Sequence, residues 1–234
     1  MKATDGFVLI PAYQEGCRIG AVVREVLPFC PRIVVVDDGS ADDTAEVARA
    51  AGATVLVHAH NRGKGAALQT GFDYAREQGA AFVLTMDGDG QHAPADIPGF
   101  LEAFARGEAP VLVGNRMEDP RAMPFVRRMT NRFMSWMLSR KMGQRVPDTQ
   151  NGFRLYRTDV LPNMSGGDAR FAAESEILLI LSRRSVRIGS VPVRIIYGDE
   201  RSKIRPVRDT LRFFRMLRAF DRKAAEGTYQ GKRI

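Results

Sequence analysis

The chain predicts an α/β fold, on three observations. Through residue 114, short β-branched runs alternate with helix-like segments, the pattern of helices layered on a sheet. Each strand-like run ends in a polar or glycine-rich turn, and in open α/β sheets ligands bind at the carboxyl ends of the strands. Beyond Gly114 the pattern gives way to two long, basic, amphipathic segments with a shorter mixed region between them.

Residues 7 to 10, 32 to 36, 54 to 57, 81 to 86 and 110 to 114 read as strands. Between them, residues 42 to 51 form an Ala- and Glu-rich helix behind Ser40, whose hydroxyl is placed to cap it, with Asp43 at the third helical position as in a capping box. Residues 64 to 78 and 96 to 106 read likewise as helices. From Phe125 to Met142, Val126, Met129, Phe133, Met134, Met137 and Leu138 recur at helical spacing among Arg127, Arg128, Arg132, Arg140 and Lys141. From Val207 to Phe220, Leu211, Phe214, Met216, Leu217 and Phe220 alternate with Arg208, Arg212, Arg215 and Arg218. Either helix can lie in a membrane interface with its apolar face down, or pack that face on the sheet.

A length of 234 residues with 44% hydrophobic content suits one large domain or a domain with a small appendage. Cys17 and Cys30 have no metal-like spacing, which argues against a disulfide framework or zinc site and for a reducing, cytoplasmic compartment. The longest apolar runs fall far short of the roughly 18 to 20 residues that cross a bilayer, and the amino terminus lacks the pattern of a signal peptide. Attachment to a membrane is therefore expected to be peripheral or through a transmembrane partner. Residues 1–113 carry 9 Lys and Arg against 15 Asp and Glu, a net −6; residues 114–234 carry 26 against 12, a net +14 rich in Arg. Arg suits forked contacts with phosphate. Phosphorylated lipid, a membrane surface and nucleic acid all qualify as partners of that half, and a solvated basic face is the plain alternative.

Four segments carry the chemistry. Pro11-Ala12-Tyr13-Gln14-Glu15 follows the first strand, with a ring to stack on a base and a carboxylate to accept hydrogen bonds from base or ribose. Asp37-Asp38-Gly39-Ser40 follows the second; adjacent carboxylates repel, and a ribose hydroxyl or an imide donor would relieve Asp38, while helix capping explains Ser40. Gly63-Lys64-Gly65 fits neither common nucleotide-loop template, yet Lys64 at a helix start can reach a nucleotide. Asp87-Gly88-Asp89-Gly90-Gln91-His92 delivers two carboxylates from a strand end, an oxygen-donor set suited to Mg2+ or Mn2+. Asp89 is the expected direct ligand, Asp87 reaches the metal through water or contacts the sugar hydroxyls, Gly88 lets the backbone close on the ligand, and Gln91 stands beside them. His92 is read as structural or solvent-facing.

In order, spacing and strand context these segments resemble family 2 glycosyltransferases of the GT-A fold, which has a mixed, mostly parallel sheet flanked by helices. Gly114-Asn115-Arg116 and Asp148-Thr149-Gln150-Asn151-Gly152-Phe153-Arg154-Leu155-Tyr156 look like segments of the dolichol-phosphate mannose synthase branch, the polyprenyl-phosphate glycosyltransferases. The resemblance spans roughly residues 7 to 205. It implies one catalytic domain over residues 1–221, with donor binding in 1–114, acceptor binding in 115–221 and a disordered basic tail at 222–234. It also implies Pro11, Tyr13, Glu15, Val36 and Asp38 at the nucleotide, and Asp87 and Asp89 at the metal and diphosphate; Lys64 joins the nucleotide set and Gln91 the metal set from their places in the sequence. Arg116 falls at the donor or lipid phosphate. In that branch an arginine-bearing helix lies on the membrane and grips the acceptor phosphate, a role that falls to Arg127, Arg128 and Arg132. A closing loop would bring Ser202 and Lys203. Where the family has Gly-x-Ser-Lys this chain has two more residues, Gly198 to Lys203, so Arg194 and Arg201 compete for the loop arginine, and Arg201 is the choice.

The reaction expected is transfer of a hexose from a nucleotide-sugar of the GDP-mannose or UDP-glucose type to polyprenyl or dolichyl phosphate at the cytoplasmic face of a membrane. A lipid phosphate is already anionic and needs cations, not a base. A hydroxyl acceptor, on a glycolipid or polysaccharide precursor, would need a carboxylate within about 3 Å, and Asp148, Glu174 and Glu176 are the candidates. A nucleic-acid-binding module is the distant alternative, disfavoured because the aromatics of the basic segments sit on apolar helical faces and no nucleic-acid motif is present.

Overall fold

The computed structural model describes residues 2–119, 123–163, 173–194, 196 and 206–226. Seven strands form one sheet: β1 (Phe7–Ala12), β2 (Ile33–Asp37), β3 (Thr54–Val57), β4 (Phe82–Thr85), β5 (Val111–Asn115), β6 (Arg154–Arg157) and β7 (Ile188–Pro192). Their order is β3-β2-β1-β4-β6-β5-β7. All neighbours pair in parallel except β6, which runs antiparallel to both β4 and β5.

Helices cover both faces, which is why β1, β2, β4 and β5 are apolar nearly throughout. Side chains alternate between faces. Val8, Ile10, Val35 and Leu84 join α1 (Gly16–Val26), α2 (Thr44–Ala50) and α4 (Ile97–Ala105) in one core. Phe7, Leu9, Val34, Val83 and Val113 join α3 (Lys64–Glu77), α5 (Phe125–Met142), α6 (Ala173–Arg183) and α7 (Pro206–Ala225) in the other.

The predicted bounds of α5 hold to the residue: Pro124 precedes its first turn and Gly143, at φ 69°, ends it in the left-handed conformation that glycine adopts most readily. The predicted cap of α2 does not hold. The helix starts at Thr44 with no side-chain cap bond from Asp43. Ser40 Oγ instead donates to Asp37 Oδ1 and accepts from Gln14 N, while Asp42 Oδ1 accepts from Thr44 N. Ser40 thus ties two loops together, and Asp42 takes over the donor at the helix start.

The two basic helices resolve their apolar stripes differently. Helix α7 buries Phe213, Leu217 and Phe220 in the core. Helix α5 buries Met134 and Leu138 but exposes Phe125, Val126, Met129, Phe133 and Trp136. Helix α7 also runs four residues past the boundary at 221, its end tied to α5 by Lys141–Asp221 at 2.5 Å and to α6 by Lys223–Glu176 at 3.7 Å. Residues 227–234 of the predicted tail lie outside the described residues.

Candidate active site

Because β1, β2 and β4 are adjacent and parallel, the loops after them meet at one edge of the sheet. The loop after β1 is pinned onto the loop after β2: Gln14 N donates to Ser40 Oγ at 2.9 Å, Glu15 N to Thr44 Oγ1 at 2.9 Å and Gly16 N to Asp42 Oδ2 at 3.1 Å. Gln14 takes φ 56°, which turns the chain out of β1 into α1. Tyr13 is 43% exposed at this edge, and Glu15 Oε2 accepts from Arg18 Nη1 at 3.2 Å. Pro11 is half-buried beside them. Val36 is wholly buried inside β2, its side chain in the core beneath α3, so it presents no surface to a nucleotide.

Asp38 departs from its expected use. Its carboxylate is buried and accepts from Arg62 N at 2.9 Å and Gly63 N at 2.7 Å, with His58 Nδ1 at 2.7 Å from Oδ1. The repulsion between Asp37 and Asp38 is therefore relieved by donors from the protein, Ser40 for one and the 58–63 loop for the other. Gly39, at φ 73°, lies where an added Cβ would stand 2.5 Å from the His60 backbone, so the turn requires glycine. Asp38 thereby fixes the chain that leads into α3 and its first residue, Lys64.

Lys64 Nζ lies 2.5 Å from Asp87 Oδ1 and 2.5 Å from Glu174 Oε1. Burial works against all three charges, yet each carboxylate and the ammonium stabilise one another. Lys64 is held well above its usual range, and Asp87 and Glu174 are held below theirs. Asp87 N donates to His92 Nδ1 at 3.1 Å, and His92 stacks on Phe153 with ring centroids 5.0 Å apart. His92 is therefore a structural support of the turn, its own pKa lowered by burial. Asp89 Oδ1 accepts from Gln91 N at 3.0 Å, which closes the turn and leaves Asp89 partly exposed. An added Cβ at Gly152 would stand 3.0 Å from Asp87 Oδ1, so a larger residue there would press on that carboxylate.

The oxygen donors of Asp87, Asp89 and Gln91 suit Mg2+ or Mn2+, hard cations that keep several positions for water and substrate phosphate. No cluster of three or more His, Cys, Asp or Glu side chains placed to hold a metal occurs among the described residues. Two carboxylates on one turn fit a cation whose remaining ligands come from a diphosphate.

Across the sheet, Arg116 follows β5 and Asp148 precedes β6. Arg116 Nε donates to Asp148 Oδ2 at 2.7 Å, Arg116 Nη2 to Oδ1 at 2.9 Å and Asn131 Nδ2, from α5, to Oδ1 at 2.9 Å. Burial raises the Asp148 pKa, but Arg116 and Asn131 outweigh it and hold it below the usual range. A buried carboxylate engaged in this way is a poor proton acceptor, which corrects its candidacy as a general base. Arg154, fully buried, donates to the carbonyls of Asn151, Thr149 and Glu174 at 2.7, 2.8 and 2.6 Å and so fixes the 148–153 loop against the start of α6.

The structure brings Tyr13, Glu15, Lys64, Asp87, Asp89 and Gln91 to the ends of β1, β2 and β4, Arg116 to the end of β5 and Asp148 to the loop before β6. Arg127 and Arg128 are half-buried and Arg132 exposed on α5, with Arg128 over the Phe125 ring at 5.5 Å. Arg194 is engaged elsewhere: its backbone N and Nε donate to Asp96 at 2.7 and 2.8 Å. Arg201, Ser202 and Lys203 lie outside the described residues. Sequence reasoning missed the partnership of Lys64 with Glu174 and the anchoring by Arg154, both set by contacts far apart in the chain.

A mostly parallel sheet of strand order 3-2-1-4-6-5-7, flanked by helices, is the GT-A fold of glycosyltransferases. Residues 7–164 match the profile of glycosyl transferase family 2, and the chain belongs to that family as a glycosyltransferase. It is similar to the UDP-N-acetylglucosamine–dolichyl-phosphate N-acetylglucosaminyltransferase of Methanococcus voltae, at 30% identity over 82% of this chain and 86% of that one. It is similar also to the polyprenol monophosphomannose synthase of Mycolicibacterium smegmatis, at 33% identity over 66% of this chain and 62% of that one. In fold it resembles the glucosyl-3-phosphoglycerate synthase of Mycobacterium tuberculosis, crystallised with Mn2+, UDP and glucosyl-3-phosphoglycerate. The TM-score is 0.66 at 20% identity, covering 92% of this chain and 77% of that chain.

Proposed function

We propose that this glycosyltransferase moves a hexose from a nucleotide-sugar of the GDP-mannose or UDP-glucose type to a polyprenyl or dolichyl phosphate. The acceptor is taken at the cytoplasmic face of a membrane, with inversion at the anomeric carbon. The observation that carries this reading is the state of the three carboxylates that could deprotonate a hydroxyl. Asp148 is locked to Arg116 and Asn131, Glu174 to Lys64, and Glu176 faces Lys223. An acceptor that arrives ionised needs none of them. The relatives from Methanococcus voltae and Mycolicibacterium smegmatis carry polyprenyl-type phosphates in their names.

In this reading an acceptor phosphate oxygen attacks the anomeric carbon from the face opposite the diphosphate. The new C–O bond forms as the bond to the diphosphate breaks, and a nucleoside diphosphate departs. Tyr13 stacks on the base and Glu15 accepts from base or ribose, while Asp38 acts indirectly by ordering the 58–63 loop. Asp87 and Asp89, with Gln91 beside them, would hold Mg2+ or Mn2+, which neutralises charge growing on the leaving group. Lys64 adds a positive charge there. Arg116, Arg127, Arg128 and Arg132 orient the acceptor phosphate, and Arg201, Ser202 and Lys203 close over it.

No described helix is long and apolar enough to cross a membrane. Membrane contact is assigned to α5, where Phe125 and Trp136 are 66% and 61% exposed among arginines, with a transmembrane partner protein as a further means of attachment. Labelled GDP- and UDP-sugars, incubated with the enzyme and undecaprenyl or dolichyl phosphate, should yield an acid-labile lipid product. Transfer to a hydroxylated lipid but to neither phosphate would overturn the reading.

A further inference from the structure

We propose that Glu174 is a positioning residue for the donor site: by sharing the Lys64 ammonium it keeps Asp87 open to a divalent cation. The inference rests on the metal assignment made above. Lys64 Nζ stands at 2.5 Å from each carboxylate, so the ammonium is divided between an acidic residue of the metal turn and one from the first turn of α6.

Neither end of this bridge is free to drift. Lys64 opens α3 behind Gly63, whose N–H is bound by Asp38 at 2.7 Å. The start of α6 is held by the 2.6 Å bond from Arg154 Nη1 to the Glu174 carbonyl. Asp87 is backed by Gly152 on one side, and its Oδ2 lies 4.0 Å from His92 Nε2. A cation at Asp87 would stand near the ammonium on the same carboxylate, and the two positive charges would repel. Glu174 is already within contact of Lys64, so the ammonium can slacken its hold on Asp87 by a side-chain shift alone and remain paired in the site. Without the Glu174 charge, the whole attraction of Lys64 falls on Asp87, where it competes with the metal.

The test is the Mn2+ concentration that gives half-maximal binding of UDP or GDP, whichever the wild type binds, followed by calorimetry. Glu174→Gln should raise that concentration by about tenfold, the scale on which residues supporting metal ligands act. In a Lys64→Met background the same substitution should change it by less than about threefold, because the competing charge is gone. An unshifted Glu174→Gln, or an equal shift in both backgrounds, overturns the proposal, since a merely structural role would not depend on Lys64. Should Glu174→Gln melt below the assay temperature, Glu174→Ala, which likewise removes the charge, carries the test with the same two outcomes. Wild-type binding of UDP and GDP that ignores Mn2+ would instead sink the metal assignment itself.

Discussion

Arg116 and Asp148, 32 residues apart, meet as a forked ion pair in which Nε and Nη2 of the arginine take one carboxylate oxygen each, at 2.7 and 2.9 Å. The pair joins the end of β5 to the loop before β6, and Asn131 brings α5 into the same knot. Arg116→Met should cost about 3–5 kcal/mol, because it strands a buried carboxylate. Arg116→Met combined with Asp148→Leu should recover much of that loss in urea denaturation while transfer stays abolished. Wild-type stability in the single variant would show that the pair carries no structural weight.

The same pair sets an acid limit. The folded pKa of Asp148 lies below its ordinary value of 3.8, so its contribution is complete above that value and drains away as pH falls through the folded pKa. Urea midpoints measured from pH 7 down to about pH 2 should fall on the acid side, below about pH 4, and Asp148→Asn should flatten that fall. Asp87 and Glu174, also lowered, add to the wild-type slope in the same direction.

Asp89→Ala should abolish transfer with folding intact. The residue is partly exposed, and its one described bond is accepted from Gln91 N within its own turn, so the stability change should stay near 0.5 kcal/mol or less, about that of an ordinary surface substitution. Retained transfer would remove Asp89 from the metal site.

Asp38→Ala should behave differently, losing nucleotide binding and stability together. Removing the carboxylate takes the acceptor from the N–H groups of Arg62 and Gly63, at about 1–3 kcal/mol for the buried Gly63 donor and less for Arg62 at the surface. A variant that loses nucleotide binding at an unchanged melting temperature would return Asp38 to direct contact with the base.

Replacing Phe125, Phe133 and Trp136 together by Ser should weaken flotation with anionic vesicles by tenfold or more. Burying each such side chain in a lipid interface stabilises by up to about 1.5–3 kcal/mol. All three are exposed, so the melting temperature should hold. Unchanged flotation would move membrane contact off α5.

Much of the fold was legible because its information is local. β-branched runs ending at Pro11, Asp37 and Asp87 marked three strands that proved adjacent, and the spacing from Phe125 to Met142 marked α5 to the residue. What stayed hidden depends on which distant groups meet. Two adjacent acids at 37 and 38 announce that donors are needed, but not that His58, Arg62 and Gly63 supply them. Lys64 and Glu174 are 110 residues apart, and no periodicity encodes their contact. Helical spacing likewise cannot tell that α7 turns Leu217 and Phe220 inward and leaves Leu211 exposed while α5 turns half of its own stripe outward, because that choice is made by the helices packed beside them.

Because β6 runs against both neighbours, its first residue, Arg154, pairs with Thr85 of β4 on one side and Val113 of β5 on the other. That reversal returns a later stretch of chain, including Gly152, to the edge where the earlier loops converge. The enzyme therefore cannot be parted at Gly114 into a nucleotide-holding piece and an acceptor-holding piece. The first would keep Asp87 but lose the Gly152 segment beside it and expose the bare edge of β4, and the second would hold two strands, β6 and β7, without their partners. The chain works as a clasp, in which a stretch well past the middle of the sheet's strands returns to complete the pocket begun by the first loops.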